Sequence, residues 1–257
     1  MKLISWNMAG AWGYNASAHS RAWEWLCEQD VDVALVQEAV VQEGVRENWG
    51  SVVWSSKYGH NWGSAVLTRL ASHLPWRPST DHPWLAQVAG AACVAQPAHP
   101  DGLWLVSVHS SAGAYKVAEL PTLPPLTGVA RCSTDGSELW EIEVLAHELR
   151  DVLRDHAFIL GGDLNSALAF DTNYGGRENE LLFANLAESG FVDLRLRHQR
   201  EEVQTYYKAR TRPYQLDHVF ADRTTELRVT SWTVLGEVAG RLGLSDHAPV
   251  LVTLEGP

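Results

Sequence analysis

The stretch ILGGDLNSA, residues 159–167, places a carboxylate and an amide two residues apart, directly after an apolar run. Side chains alternate along a strand, so Asp163 and Asn165 would point to the same side and Leu164 to the other. The glycines before them would let a backbone or a ligand approach closely. This arrangement suits one wall of a site for a cation or a phosphate, although a polar strand end that caps the next helix would look similar in sequence.

Similar polar residues occur at the ends of other predicted strands. An acid, an amide or an imidazole lies near one end of each of six such strands: Asn7, Glu38, His109, Asp163 with Asn165, Asp217 with His218, and Asp246 with His247. If these ends converge, one cleft holds four carboxylates and the imidazoles of His109 and His247. Carboxylates this close repel one another unless a cation lies among them.

The types of these groups indicate which cation that would be. Oxygen and amide ligands without cysteine favour a hard ion, Mg²⁺ with Mn²⁺ or Ca²⁺ as substitutes, rather than zinc. The set would serve the hydrolysis of a phosphate ester, which needs a metal for the developing charge, a base to orient water and an acid for the leaving oxygen.

The first half of the chain predicts strands with few helices. Residues 2–8 and 32–37 are rich in branched apolar residues and predict buried strands. Apolar residues at helical spacing after Ser20 predict a helix between them. Residues 51–109 then contain short β-like runs separated by Gly, Pro and Asp turns, which indicates antiparallel pairing: SVVWSS, SAVLTRL, LAQVAGAACVAQ and LWLVSVHS.

The second half begins with a long connection. Residues 112–137 contain three prolines and predict a surface excursion. Apolar residues from Ile142 to Leu153 recur at helical spacing, and a second helix is predicted around Leu182. Later predicted strands are QTYY, YQLDHVFAD, LRVTSWTVL and APVLVTLE. We predict a single domain over 1–257 of the α+β class, with two mixed or antiparallel sheets packed face to face and helices outside them.

Composition limits the partners. The net charge of −11 argues against tight, non-specific binding of nucleic acid through a broad basic surface. It does not exclude a nuclease, because a bound divalent cation inverts the potential locally. The sequence shows no secretion leader, no apolar run long enough for a membrane span and no paired cysteine motif. We therefore expect a cytoplasmic protein without membrane contact and without an obligate protein partner.

Six short motifs occur in order over nearly the full chain: SWNMAG, LVQE, VSVHSSA, GGDLNSA, YQLDHVF and LSDHAPV. Together they resemble the endonuclease/exonuclease/phosphatase superfamily, which has the fold of deoxyribonuclease I. Each motif alone is weak, but six of them in register from Asn7 to His247 are hard to obtain by chance. The resemblance implies a four-layer α/β/β/α sandwich with the site at one end of the two sheets.

The resemblance also implies metal ligands. Glu38 matches the family's glutamate ligand after a hydrophobic strand, and Asp246 matches the metal-side aspartate of the SDH motif. Asn7 would support the metal or the phosphate from the neighbouring strand. In isolation, Glu38 would be read as a solvated acid at a strand end and Asn7 as a turn residue.

Catalytic roles follow from the same motifs. Asp163 matches the aspartate that orients or deprotonates the attacking water, and Asn165 would hydrogen-bond a phosphate oxygen. His247 would bind phosphate or transfer a proton, and Asp217 would hold its tautomer. The alternative for each aspartate is a loop cap. His218 should face the other way in a regular strand and is predicted to be structural.

His109 distinguishes branches of the superfamily. A strand that ends in VHSSA resembles the deoxyribonuclease I and sphingomyelinase branches and makes His109 a candidate general acid. Abasic-site endonucleases usually carry a Tyr-x-Pro-Asn pattern there, so this chain departs from them. In deoxyribonuclease I a glutamate supports the histidine, whereas between Leu67 and Asp101 only Asp81 is acidic here. The alternative is a satisfied core histidine.

Residues that could contact substrate follow the catalytic strands. Thr205 and Tyr206 resemble the family's Thr-containing strand near the phosphate. Lys208, Arg210 and Arg212 could neutralise further phosphates or form a solvated basic loop. Arg177 lies after the catalytic strand, where substrate could pass. Four tryptophans could stack on bases, although a core position is favoured for each: Trp54, Trp62, Trp76 and Trp84.

The sequence thus predicts a metal-dependent phosphodiester hydrolase, a nuclease that acts on DNA or RNA through attack of activated water on phosphorus. One alternative is a phosphatase or phosphodiesterase for small-molecule or lipid-headgroup phosphates, which the acidic composition favours. Another is a catalytically silent binding module on the same fold. The sequence does not separate exonuclease from endonuclease activity.

Overall fold

The computed structural model describes most of the chain: residues 1–11, 15–57, 59–69, 73–79, 81–87, 90–99, 101–119, 128–133, 135–208 and 212–256. The strands are β1 (Lys2–Asn7), β2 (Val33–Ala39), β3 (Ser51–Ser56), β4 (Gly63–Thr68), β5 (His73–Pro75), β6 (Ala92–Pro97), β7 (Trp104–His109), β8 (Tyr115–Lys116), β9 (Glu138–Leu139), β10 (Phe158–Asp163), β11 (Val192–Asp193), β12 (Asp217–Ala221), β13 (Val229–Val234) and β14 (Val250–Leu254). The helices are α1 (Ala16–Glu28), α2 (Pro83–Gln87), α3 (Glu141–Leu153), α4 (Leu168–Tyr174), α5 (Glu178–Glu188), α6 (Arg223–Glu226) and α7 (Gly236–Gly240), with short 3-10 helices at Glu43–Asn48, Val117–Glu119 and Leu194–Arg197.

Within these ranges the strands form two six-stranded sheets. The first has the order β13-β14-β1-β2-β4-β3 and the second the order β11-β12-β10-β7-β6-β5, while β8 pairs with β9. Both large sheets are mixed, because β1 runs parallel to β2 and β7 runs parallel to β10, whereas their other neighbours are antiparallel. Each parallel pair places the carboxyl ends of two strands at the same edge of its sheet.

The core is divided into layers by strand alternation. Inward-facing side chains of the two sheets meet in one buried cluster, to which Leu35 and Leu105 belong. Trp23 of α1 packs on the outer face of the first sheet, and Leu145 of α3 packs with Leu182 of α5 on the outer face of the second. The predicted α+β class and four-layer α/β/β/α sandwich are confirmed.

Polar groups cross the apolar layer between the sheets near one end. Gln37 of β2 donates from Nε2 to Ser107 Oγ of β7 at 2.9 Å, and Ser107 Oγ donates to Val36 O at 2.9 Å. Gln37 and Ser107 are fully buried. A buried polar group that loses its partner is costly, so these bonds link the two sheets in one particular alignment.

Two predicted strands differ in the structure. The run LAQVAGAACVAQ begins as α2 and continues as β6. The carboxylate of Glu148 on α3 accepts from the N–H groups of Trp84 and Leu85 at 3.0 and 2.6 Å, which satisfies the first amides of a helix that apolar periodicity does not reveal. The stretch QTYY is reduced to isolated bridges, in which Tyr206 pairs with Tyr214 and with His247.

The segment predicted as a surface excursion, residues 112–137, is held near its two ends by the small sheet. Tyr115 and Lys116 pair with Leu139 and Glu138 in the small sheet. Residues 120–127 and 134, which include its prolines, lie outside the described residues. The single-domain organisation over 1–257 stays a prediction. Among the described residues, no helix combines the length and the apolar character that crossing a membrane requires.

Candidate active site

The polar strand ends converge at one edge of the sandwich. Asn7 ends β1, and Glu38 lies near the end of the parallel strand β2. In the second sheet His109 ends β7 and Asp163 ends β10, directly opposite each other in register. Asp217 begins the antiparallel strand β12 opposite Asp163. The two sheets therefore each supply acids to the same edge, as the sequence predicts.

Glu38 is aimed by an irregular backbone. The register between β2 and β4 shifts between Val36 and Ala39, and Glu38 itself has φ 48°, a left-handed conformation that is strained for a glutamate. Such a conformation costs on the order of 1–3 kcal/mol and persists only where neighbours enforce it. Here the Gly10 N–H donates to Glu38 O at 2.9 Å, and the Ala11 N–H donates to Glu38 Oε2 at 3.1 Å.

Only glycine fits at residue 10, because its backbone lies against the Glu38 carbonyl. A Cβ at residue 10 would lie 2.1 Å from Glu38 O and 3.0 Å from the ring of His19, so Gly10→Ala must push the Glu38 backbone away. We expect a loss of about 1–3 kcal/mol in the free energy of unfolding, together with weaker binding of divalent cations. Thermal unfolding and calorimetric metal titration would measure both. The matched control is Gly44→Ala, because a Cβ at Gly44 meets nothing within 4 Å; equal behaviour of the two variants would contradict the prediction.

The amide of Asn7 connects the carboxylates of Glu38 and Asp163, which lie in different sheets. Asn7 Nδ2 donates to Glu38 Oε1 at 3.2 Å and to Asp163 Oδ2 at 2.9 Å, while Asn7 Oδ1 accepts from Ala9 N at 2.9 Å. This pattern fixes the amide orientation, because both carboxylates are acceptors and the Ala9 N–H is a donor. Asn7 thus orients the acids through Nδ2. Metal ligation by Asn7 would require Oδ1 and stays a prediction.

Asp163 is the buried acid of the site. Only 2 % of its surface is exposed, and burial, with the nearby Asp217 carboxylate, raises the pKa of Asp163 to about 7. His247 and the hydrogen bonds from Asn165 N and Asn7 oppose that rise. A carboxyl group with its pKa near neutrality can take up and release a proton at the operating pH.

His247 is held as a cation by the acid behind it. Its Nδ1 lies 2.8 Å from Asp217 Oδ2, and its Nε2 lies 3.7 Å from Asp163 Oδ2. Burial alone would lower the pKa of His247, but the charges of Asp217 and Asp163 outweigh it and raise the pKa to about 10. The His247 backbone is fixed as well, since Trp6 Nε1 donates to its carbonyl O at 2.9 Å.

His109 is the neutral imidazole of the site. Its Nε2 lies 3.3 Å from Glu38 Oε1 and 3.9 Å from Asp163 Oδ2. Burial, followed by the charges of Lys57 and His247, holds the pKa of His109 well below its usual range. The site therefore contains two buried histidines of opposite protonation preference. Such a separation is how proteins assign acid and base roles.

Lys57 is a part of the site that the sequence analysis missed. It follows β3, which runs antiparallel to β4, as β2 does, so β3 and β2 share a direction and end at the same edge. That shared direction is the signal that could have identified Lys57. Its ammonium is buried, and it donates to His109 O at 2.6 Å and pairs with Glu141 at the start of α3.

Asn165 also reaches the site through a left-handed backbone. Its φ is 50°, a conformation that asparagine adopts more readily than most residues. The Asn165 N–H donates to Asp163 Oδ1 at 2.8 Å, and Nδ2 donates to Ser110 O at 2.8 Å. The side chain is thereby fixed at the wall of the cleft.

The site suits a hard divalent cation. Single ligand atoms of Glu38, His109 and Asp163 lie within 4.8 Å of one another, and so do those of Asp163, Asp217 and His247. Clustered carboxylates whose repulsion is only partly offset by hydrogen bonds provide the oxygen ligands and negative charge that Mg²⁺, Mn²⁺ or Ca²⁺ prefer. The residues present therefore fit such an ion.

An open cleft of about 660 Å³ lies over this edge. It brings together these predicted residues: Glu38, His109, Asp163, Asn165, Tyr206, Lys208, Asp246 and His247. Thr205 is fully buried behind it, and its Oγ1 accepts from Asp217 N at 3.1 Å. Arg177 is apart from the cleft lining, exposed and paired with Glu180 at 2.8 Å. Arg210 lies outside the described residues.

Aromatic rings line one wall of the cleft. The rings of Trp62 and His60 stack with centroids 5.4 Å apart, and Trp62 meets His109 edge-on at 5.8 Å. Trp84 is buried in the core, as favoured from the sequence, whereas Trp62 lines the cleft.

His218 is buried away from the cleft lining, where its ring packs against Phe183. Ser166 O lies 3.0 Å from its Nε2, in agreement with a structural role.

The fold is similar to solved structures of DNA-processing enzymes. A Neisseria 3′ phosphatase bound to a product DNA hairpin matches with a TM-score of 0.70 at 19% identity, and a Neisseria meningitidis 3′-5′ exonuclease matches with 0.71 at 18%. An AP endonuclease from Archaeoglobus fulgidus matches with 0.68 at 18%. Each match covers 100% of both chains.

Comparison with sequence families gives the identity of the chain. No curated protein sequence matches it. The model of the Endonuclease/Exonuclease/phosphatase family matches residues 4–247, a range that contains the polar residues of the cleft from Asn7 to His247. The chain therefore belongs to the endonuclease/exonuclease/phosphatase family.

Proposed function

We propose that the protein is a hydrolase of phosphodiester bonds in nucleic acid and that it depends on Mg²⁺ or a similar divalent cation. The observation that carries the proposal is the arrangement around Asp163. This buried acid lies 3.7 Å from the charged imidazole of His247 and 3.9 Å from the neutral imidazole of His109, on the floor of one open cleft. The acid can take the proton of the attacking water, and the two imidazoles supply hydrogen-bond donors for the charge that ester hydrolysis develops on oxygen.

Each residue has a role that follows from its position. Asp163 orients the attacking water and accepts its proton. His247, held by Asp217, offers its Nε2–H to a phosphoryl oxygen as negative charge grows there. The neutral His109, whose Nε2 lies 3.9 Å from Asp163 Oδ2, donates a hydrogen bond from Nε2 to the leaving oxygen, and that oxygen takes its proton from water. When bound, a divalent cation beside Glu38 and Asp163 would offset their charge and that of the phosphate.

Nucleic acid is the substrate class that the cleft wall supports. The stacked rings of His60 and Trp62 present a flat aromatic surface for a base. Lys208, also in the lining, can pair with a neighbouring phosphate. The Neisseria 3′ phosphatase of the same fold is bound to a product DNA hairpin. These features together favour DNA or RNA over an isolated phosphate.

A small phosphate ester is the second candidate, and the net charge favours it. At −11 the protein repels a long polyanion at low ionic strength more strongly than it repels a small ester. A short substrate needs only the floor of the cleft, where the acids and imidazoles lie.

A substrate panel tests the proposed function and its metal dependence. Purified protein would be incubated with plasmid DNA, single-stranded DNA, RNA, 3′-phosphorylated DNA, an inositol phosphate and a nitrophenyl phosphodiester. Each reaction would be run with Mg²⁺, Mn²⁺, Ca²⁺ or excess EDTA. We expect cleavage of a nucleic acid with Mg²⁺. With EDTA we expect the cleavage rate to fall by more than about 100-fold, because no metal then compensates the negative charge of the acids and the phosphate.

Several results would decide against the proposal. Equal turnover with EDTA and with Mg²⁺ would contradict the metal dependence. Turnover of the inositol phosphate alone would favour the small-ester candidate. No turnover of any substrate, together with no heat of Mg²⁺ binding in calorimetry, would support a catalytically silent module.

A further inference from the structure

Lys57 and Glu141 form a buried ion pair directly behind His109. The Lys57 side chain is 4 % exposed and that of Glu141 is 1 % exposed, and Nζ lies 3.6 Å from Glu141 Oε1. Glu141 is itself anchored, because its Oε2 accepts from Ser111 N at 3.2 Å and from the Tyr115 hydroxyl at 3.1 Å. A buried ion pair contributes little to stability as a rule, so the position of this pair beside a reactive imidazole indicates a role other than stability.

The contacts of the Lys57 ammonium define its direction. It donates to the carbonyl O of His109 at 2.6 Å, and its Nζ lies 3.5 Å from His109 Nδ1. An ammonium has donors and no acceptor, so an interaction with Nδ1 requires that this nitrogen carries no proton. The other ring nitrogen, Nε2, faces Glu38 Oε1 at 3.3 Å and Asp163 Oδ2 at 3.9 Å. The nearer of the two, the carboxylate oxygen of Glu38, is an acceptor, so Nε2 must be the donor.

We propose that Lys57, anchored by Glu141, is a positioning residue that fixes His109 as the Nε2–H tautomer and orients this N–H into the cleft. The two sides of the ring agree on this assignment, because the Lys57 ammonium faces Nδ1 and the Glu38 carboxylate faces Nε2. Each of the two imidazoles thus has a charged residue at its Nδ1. Asp217 stabilises the charged ring of His247, whereas Lys57 stabilises the neutral ring of His109.

The tautomer has a consequence for metal binding. An Nε2 that carries a proton has no lone pair for a cation, so His109 is a hydrogen-bond donor at the site, and oxygen atoms of the neighbouring acids would hold a cation. The catalytic part of this inference rests on the proposed function, in which His109 faces the leaving oxygen. The tautomer itself does not depend on that function.

NMR of the wild-type protein labelled with ¹⁵N-histidine tests the tautomer directly. The Nδ1 and Nε2 shifts and their couplings to the ring protons distinguish a protonated nitrogen from an unprotonated one. We expect protonated Nε2 and unprotonated Nδ1 for His109 at neutral pH, in excess EDTA and again with Mg²⁺. A proton on Nδ1, or a metal-bound Nε2, would overturn the proposal whatever the variants do.

Lys57→Met tests the positioning role, since it removes the ammonium and keeps a chain of similar length. We expect Nδ1 of His109 to gain a proton in a substantial fraction of molecules. We also expect kcat to fall by about 100-fold, the size that a misplacement of ~1 Å in a catalytic group causes, with KM changed less than about threefold. The matched control is Lys2→Met, because Lys2 is exposed and pairs with Asp30 away from the cleft.

The outcomes separate this inference from the proposed function. A wild-type protein that cleaves no phosphodiester refutes the proposed function, while the NMR measurement still decides the tautomer. If folded Lys57→Met keeps wild-type kcat and an unprotonated Nδ1, the positioning role of Lys57 is refuted. If Lys57→Met does not fold, the wild-type spectrum in the two metal states decides.

Discussion

Asp163→Asn will lower kcat by about 10⁴-fold, the upper range for loss of a general acid or base. The substitution keeps the shape of the side chain and removes its ability to accept a proton from water. The asparagine can still accept from Asn165 N through its oxygen, as Asp163 does at 2.8 Å, although its amide nitrogen cannot accept from Asn7 as Asp163 Oδ2 does. One lost hydrogen bond at the end of β10 costs about 1 kcal/mol, so we expect the fold to persist. Steady-state kinetics on the best substrate of the panel, with circular dichroism of the variant, would measure both effects.

The control for this variant is Asp151→Asn. Asp151 is exposed on α3 and pairs with Arg154, so the same chemical change there should leave kcat unaltered. A fully active Asp163→Asn variant would remove Asp163 from the mechanism and with it the basis of the proposed function.

Asp217→Asn will lower kcat by about 10³- to 10⁴-fold near pH 8, as removal of the acid behind a catalytic imidazole does in other hydrolases. Asp217 Oδ2 lies 2.8 Å from His247 Nδ1 and is the first of the charges that raise the pKa of His247 to about 10. Without that charge His247 loses its proton at a lower pH. The wild-type rate should therefore hold to alkaline pH, whereas the variant rate should decline as pH rises past the ordinary value of 6.5.

The same pair predicts a pH dependence of stability. A group whose pKa is raised on folding stabilises the folded state fully below its unfolded value and loses this effect as pH rises through its folded value. The Asp217–His247 pair should therefore stabilise the wild type below pH 6.5 and lose this contribution towards pH 10. Denaturant unfolding of the wild type and of Asp217→Asn would check this. A stability difference that grows with pH would contradict the assignment.

The sequence predicted the site better than it predicted its surroundings. Strand ends are recognisable because an apolar run stops at a polar residue, and parallel pairing then brings Glu38, His109 and Asp163 to one edge. The family motifs supplied the pairing of Asp217 with His247. No local pattern reports contacts between distant segments, so the Lys57–Glu141 pair behind His109 was missed.

Three other predictions differ from the structure. The helix α2 is specified by a carboxylate of α3, Glu148, which lies more than sixty residues away in sequence. Tyr206 looks like a strand residue, but it lies in isolated bridges with Tyr214 and His247, because the chain there lines the cleft instead of joining a sheet. Arg177 has a suitable type and sequence position, yet it pairs with Glu180 on the surface.

The polar link between Gln37 and Ser107 bears on how sharply the site is defined. Gln37 precedes Glu38, and Ser107 lies two residues before His109, so the link lies just beneath the acid of one sheet and the imidazole of the other. Leucine and valine contacts alone would tolerate small sliding of the sheets, because apolar packing has little directional preference. The hydrogen bond between the Gln37 amide and the Ser107 hydroxyl is directional, so sliding of the sheets would break it. The link thus supports the 3.3 Å spacing between Glu38 and His109 from the buried interior, in addition to the contacts that Asn7 and Ala11 make with the Glu38 carboxylate.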